Sequence, residues 1–400
     1  MRIATSLFCI LVGSMAVQAT EEGSPDGGYG GYGWRYRNRQ RPTDAVECTN
    51  DHSTPREYPT EITYPDTSTT STSTATTTSR ARSSTSRSST TTTRSPAPTG
   101  APTGGPYTLT RSYSGSTFFD DWMFFQEVDP TEGQVNYVSR EEAEQAGLIS
   151  ADEYSATMRV DNQSKLGAGE NRKSVRIESA EPVEIGSLVL ADIIRMPWGC
   201  GTWPAWWSYG EPNWPAGGEI DVIEGVNLDA ENMISLHTDG DGGSAPSNPD
   251  ATGALVGTEC AVQGGNAGCS YRAGKASYGQ EFNAGGGGVI ATLFTEDEIS
   301  IWFFPRAEIP DNISQGAPDR STWGPPTATW TSSSCDIARM FSAQRLIFNI
   351  TLCGEYAGLQ EIWQQSCGNV AATCSEYLME PSNFDEAIWE IKSVHVFSVE

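Results

Sequence analysis

Histidine is almost missing from this 400-residue chain: His52, His237 and His395 are the whole supply. Three are too few for a His-built metal centre, and no C-x-x-C pair offers a thiolate alternative. No metal and no cofactor is therefore expected. Basic residues are scarce as well, 25 Lys+Arg against 51 Asp+Glu, for a net charge of −26. A nucleic-acid binder needs a basic footprint to displace counterions from phosphate, and this chain has none of that size. The same balance opposes docking on an anionic membrane, whereas a neutral polymer meets no repulsion. Apolar runs of membrane-spanning length are absent, and helix-period stretches are few. The best of these is Glu141-Glu142-Ala143-Glu144-Gln145-Ala146.

Several features are abundant. There are 12 Trp, 41 Gly and 23 Pro, a composition that suits strands joined by turns. Arg2 is followed by the short apolar run Leu7–Val12, then by small residues ending Val17-Gln18-Ala19. This reads as a secretory signal peptide over residues 1–19, because the apolar core is too short for a membrane anchor. A freely secreted monomer is expected. Cys9 would leave with that segment, and the remaining eight cysteines fit an oxidising compartment. Cys260/Cys269 and Cys367/Cys374, close in sequence, are the expected pairs. Cys335/Cys353 is a weaker third, which leaves Cys200 and Cys48 over.

Residues 20–106 carry almost no periodic hydrophobic pattern. A Gly/Tyr/Arg stretch covers residues 26–42, and Ser or Thr fills 24 of the 34 positions from 67 to 100. Such a segment cannot bury a core and reads as a disordered, extended linker. Residues 107–400 then hold 15 basic and 42 acidic residues, so the acidity belongs to the globular part. There, short β-type runs such as Val289–Phe294, Ile299–Phe304 and Leu346–Leu352 alternate with Gly/Pro/Asn turns. The pattern predicts one all-β sandwich or jelly roll.

Gly218-Glu219-Ile220-Asp221-Val222-Ile223-Glu224-Gly225 sets three carboxylates within six residues of an otherwise apolar strand. Like charges this close are costly unless protons are shared among them. Alternation puts Glu219 and Asp221 on one face, with Ile220 and Val222 on the other. Strict alternation would turn Glu224 away; a β-bulge near Val222-Ile223 would return it to the face of Glu219. Two carboxyls so placed suit glycoside cleavage, at ~5–5.5 Å in a retaining pair or ~6.5–9.5 Å in an inverting one. Spacing alone prefers neither. Just upstream, Trp203, Trp206, Trp207 and Trp214 fall within twelve residues. Two are expected in the core, and Trp207 and Trp214 are the choices for stacking on sugar rings.

The segments Gly199-Cys200-Gly201-Thr202-Trp203-Pro204-Ala205 and Trp214–Asn227 resemble glycoside hydrolase family 16, and most closely its secreted fungal endo-1,3(4)-β-glucanases, or laminarinases. Asp129–Tyr137, Ser174–Ile177, Ser235–Thr238, Tyr278-Gly279 with Phe282-Asn283, and Trp302–Arg306 extend the likeness over 107–400. The resemblance implies a concanavalin-A-like jelly roll with an open cleft, a retaining double displacement and a β-glucan partner. Glu219 would be the nucleophile and Glu224 the general acid/base, with Asp221 bonded to the nucleophile. His237, on a following strand, would assist around that cluster; with Trp203, Trp207 and Trp214 it completes the candidate substrate contacts. In this family the bulged E-x-D-x-x-E form goes with 1,3-linked glucan and the shorter E-x-D-x-E form with lichenases. One departure is Asp239–Ser244, where many fungal relatives carry Gly-Cys after the His-Thr pair. A cell-wall transglycosylase using the same carboxylates is the second reading, and a non-catalytic glucan-binding protein the third.

Overall fold

Two eight-stranded sheets, both essentially antiparallel, lie face to face in the computed structural model, which describes residues 106–211, 214–240, 250–262 and 268–399. These residues fall within one compact unit, Thr92–Glu400. The expected signal peptide, the linker and Cys48 lie outside the described residues. The first strand begins at Tyr107. No helix among the described residues is long and apolar enough to cross a membrane.

The inner sheet runs Ala254–Gly257, Cys269–Arg272, Met233–His237, Glu219–Glu224, Thr202–Gly210, Gln344–Leu352, Arg176–Ser179, Trp122–Phe124. The outer sheet runs Ala328–Thr331, Glu298–Pro305, Gly288–Phe294, Ser187–Arg195, Ile388–Val399, Ala156–Arg159, Ile149–Ala151. Tyr107–Ser114 joins the Ile388–Val399 strand on the same side as Ala156–Arg159, so the latest strand in the chain is an interior one.

Alternation builds the core between the sheets. Trp206, Ile220, Leu346 and Phe348 point inward from neighbouring inner strands and are almost fully buried. Trp206 stacks on Phe348 with ring centroids 4.1 Å apart. Phe348 in turn meets Trp389 of the outer sheet edge-on at 5.3 Å. Tyr271 and Trp330 repeat this link at the far end, 5.0 Å apart, with the Tyr271 hydroxyl donating to Thr329 O. Ring pairs of this kind add to the area they bury, about 0.5–1.5 kcal/mol each. Only Trp206 of the four clustered tryptophans is core. Trp203 and Trp207 alternate with it and face outward, half-buried, which corrects the expectation of two.

Among the described residues three disulfides occur, and two of the expected pairings, Cys367/Cys374 and Cys335/Cys353, are wrong. Cys260–Cys269 forms as expected, whereas Cys367 pairs with Cys200 and Cys374 with Cys353. The cause is the short helical excursion after the Gln344–Leu352 strand, comprising Gly354–Ala357, Gln360–Ser366 and Cys374–Tyr377. It folds back over the turn at Cys200, so each cysteine meets a partner distant in sequence. The expected helix at Glu141–Ala146 is present as Arg140–Gln145, capped by Ser139, whose side chain accepts from Glu142 N.

Candidate active site

The acidic strand crosses the middle of the inner sheet with its carboxylates on the outward face. Ile220, Val222 and Ile223 all pack into the core. Two successive inward residues are the mark of a bulge, and the register confirms it. Against the Met233–His237 strand, Asp221 faces Ser235 and Glu224 faces Met233, so three steps on one side match two on the other. Against Thr202–Gly210, Asp221 faces Trp207 and Ile223 faces Trp206, two steps against one. The extra residue returns Glu224 to the face shared by Glu219 and Asp221.

The approach to this strand is fixed by close backbone packing. Gly217 and Gly210 pass so near that a Cβ on Gly217 would stand 2.1 Å from Gly210 O. Gly218 has φ +72° and lies under the Phe341 ring, a place only glycine fits. The buried Gln344 amide stitches the same turn, donating to Gly217 O at 3.0 Å and accepting from Ser208 Oγ at 2.9 Å. The turn contains the cis Trp214–Pro215 bond and carries Trp214 back over the strand. There the Trp214 indole Nε1 donates to Glu219 Oε2 at 2.5 Å. At the other end of the strand, Trp203 Nε1 donates to Glu224 Oε1 at 2.9 Å. Each glutamate thus has its own indole donor. Tyr356, held by the disulfide-bonded excursion, meets the Trp203 ring edge-on at 5.4 Å.

Between them, Asp221 is 3% exposed. Its Oδ2 lies 3.3 Å from His237 Nε2, a contact that lacks the alignment of a hydrogen bond. Carboxylate oxygens of Glu219 and Asp221 and a ring nitrogen of His237 all lie within 4.8 Å of one another. That grouping is close enough for a cation, although no metal was expected and Trp214 already occupies one Glu219 oxygen. Burial, reinforced by the Asp221 charge, pushes the Glu219 carboxyl well above the usual range. Burial and the Glu224 charge push Asp221 well up also. Burial raises Glu224, with the Trp203 indole and His237 opposing. Three buried carboxylates cannot all be ionised together. Glu219 and Asp221 face each other across this cluster, so a single proton can be shared between them.

The predicted residues are all placed on one face, with different parts to play. Trp207 is not free to swing. Its Nε1 donates to Asn349 Oδ1 at 2.8 Å, and the Arg176 guanidinium lies 5.1 Å from its ring. Arg176 also covers Phe125 at 4.3 Å and is paired with Glu178 at 2.7 Å. Trp214 is the most exposed of the set at 39%. Trp203 acts through its N–H on Glu224. Asn349, which nothing in its strand marked, is 8% exposed and engaged with Trp207. Arg176 lay inside a quoted motif without a role, and nothing marked Tyr356.

A sandwich whose face carries this acidic strand defines a carboxylate-based glycoside hydrolase. Residues 122–397 match the XgeA-like catalytic domain of glycoside hydrolase family 16. The chain belongs to that family. It is 40% identical over 300 residues to a probable glycosidase of Schizosaccharomyces pombe, covering 73% of this chain and 69% of that one. It is 44% identical over 300 residues to a probable endo-1,3(4)-β-glucanase of Aspergillus fumigatus, covering 73% of this chain but only 45% of that one. Thus the match spans under half the length of the Aspergillus relative. Among solved structures, laminarinase 16A of Phanerochaete chrysosporium, with β-glucans in donor and acceptor sites, aligns with a TM-score of 0.70 and 38% identity. That alignment covers 73% of this chain and 99% of the laminarinase. An elongating family 16 β-1,3-glucosyltransferase aligns with a TM-score of 0.69 and 40% identity, over 73% of this chain and 100% of that one.

Proposed function

We propose that the protein is a secreted endo-β-glucanase that hydrolyses 1,3- or mixed 1,3/1,4-linked β-D-glucan with retention. The observation that carries this reading is the register shift that returns Glu224 to the face of Glu219. Glu219 attacks the anomeric carbon, forming a C–O bond to its carboxylate. The glycosidic C–O bond breaks as Glu224 gives its proton to the leaving oxygen. Glu224, now ionised, takes a proton from water, whose oxygen displaces Glu219 and frees the sugar. Asp221 holds the proton that keeps Glu219 ionised, and His237 orders Asp221. Trp214, half out of the sheet beside Glu219, offers a ring face for a pyranose. The raised Glu224 carboxyl suits an acid that must start protonated.

A second reading has a specific support, the elongating glucosyltransferase that shares 40% identity over its entire length. There a sugar hydroxyl replaces water in the second step. Incubation with laminarin, and separately with mixed-linkage β-glucan, separates the two when reducing ends and product length are followed together. New ends with short oligosaccharides are expected. Products longer than the substrate without net new ends would move the assignment to transglycosylation. Bound glucan with no turnover would overturn both.

A further inference from the structure

We infer that Asn232 is a positioning residue for Glu224, the side-chain clasp that holds the bulge open, an inference that rests on the acid/base reading of Glu224. A bulge leaves backbone groups of the extra residue without partners across the ladder. Buried groups of that kind are costly unless something else bonds them. Asn232 supplies both missing partners. Its Nδ2 donates to Val222 O at 2.7 Å, and its Oδ1 accepts from Glu224 N at 2.9 Å. Val222 O only accepts and Glu224 N only donates, so the amide orientation is fixed by its partners.

The clasp is itself anchored. Asn232 is 4% exposed. Its backbone N donates to Ser277 Oγ at 2.9 Å, and Ser277 Oγ donates in turn to Gly274 O at 2.6 Å. Its carbonyl accepts from Ala273 N at 2.9 Å. Glu224 is therefore held twice, by Asn232 at its backbone and by Trp203 at its carboxyl. A carboxamide is the one side chain of this size that donates and accepts in the spacing of a peptide group. An ionised aspartate would keep the bond to Glu224 N and lose the one to Val222 O.

A structural residue and an acid-positioning residue differ in which substrates their loss affects. Cleavage of an aryl glycoside with a good leaving group needs no proton from Glu224, whereas laminarin does. Asn232→Ala should lower the glycosylation rate on laminarin about 100-fold, the scale of a misplacement near 1 Å. Its burst rate on dinitrophenyl β-laminaribioside should fall less than about tenfold. Asn232→Asp, the same shape, keeps the test alive if the alanine variant does not fold. Its laminarin activity relative to the parent should rise as pH falls, because the protonated carboxyl recovers the donor to Val222 O. Asp229, Glu231 and Arg272, the ionisable neighbours on its own turn and flanking strands, are common to both proteins, while Glu224 faces the new carboxyl directly, so its limb is located in each variant's own laminarin profile and divided out of the ratio. Equal losses on both substrates, or a pH-independent ratio, would overturn the inference. Glu224→Ala with azide separates the two levels: a β-glycosyl azide upholds the acid/base reading, and its absence brings down both.

Discussion

Glu219 is kept in a place that suits chemistry better than stability. Its carboxyl is raised by burial and by Asp221. Asp221 is raised with it, so between the ordinary carboxylate range and those raised values the folded Glu219–Asp221 pair shares a proton the unfolded chain has lost. Stability therefore falls as pH rises through this window. Glu219→Gln removes the effect, while its amide carbonyl still accepts from Trp214. The variant should lose turnover, keep glucan binding and melt a few degrees higher at pH 7, with the gain shrinking toward pH 4. Thermal melts at the two pH values check it. Trp203 permits a second test. Its N–H favours the ionised form of Glu224, so Trp203→Phe should move the alkaline limb of the kcat/KM profile to higher pH. A limb that stays in place would deny Trp203 that role. The three carboxylates were legible because they share one short strand, where period and bulge alone decide the face. Arg176, Asn349 and Tyr356 were not, since their meeting with the tryptophans depends on which distant strands become neighbours.

At the scale of elements, the disulfides show where sequence runs out. Eight cysteines allow 105 pairings. Nearness in sequence found Cys260–Cys269, yet it misled for Cys367 and Cys374, because the helical excursion crosses back to the Cys200 turn. Loop length ranks what each bridge contributes. The separations are 167 residues for Cys200–Cys367, 21 for Cys353–Cys374 and 9 for Cys260–Cys269. Chain entropy alone gives about 5, 3 and 2.5 kcal/mol respectively. Replacing Cys200 and Cys367 together by Ala should lower Tm most, and replacing Cys260 and Cys269 least. The same order should appear in urea midpoints. The Cys353–Cys374 bridge starts at the residue that caps the Tyr356 helix, and Tyr356 meets Trp203, so loss of that bridge should lower activity before it unfolds the protein. Strand alternation, by contrast, was readable wherever a strand is amphipathic, as in Thr202–Gly210, whose even positions are buried.

For the whole molecule, the charge is the dominant property. With 42 acidic residues against 15 basic in residues 107–400, the surface repels polyanions over a Debye length of about 10 Å at 0.1 M salt. A neutral glucan feels nothing of this. KM for laminarin should change less than about twofold between 20 mM and 500 mM salt, and a carboxymethylated β-1,3-glucan should be cut slowly at low salt and faster as salt screens the repulsion. Equal salt responses for the two polymers would show that the net charge does not reach the cleft.

The interior place of the Ile388–Val399 strand has a consequence for synthesis. It bonds Ser187–Arg195 along one edge and both Tyr107–Ser114 and Ala156–Arg159 along the other. Until the ribosome has delivered residue 399, those three strands have no common neighbour and the outer sheet stands divided. Closure of the outer sheet therefore waits until the Ile388–Val399 strand has left the ribosome. A ribosome that stops before codon 388 yields a product in which three strands have an edge open, the form that aggregation and quality control recognise first.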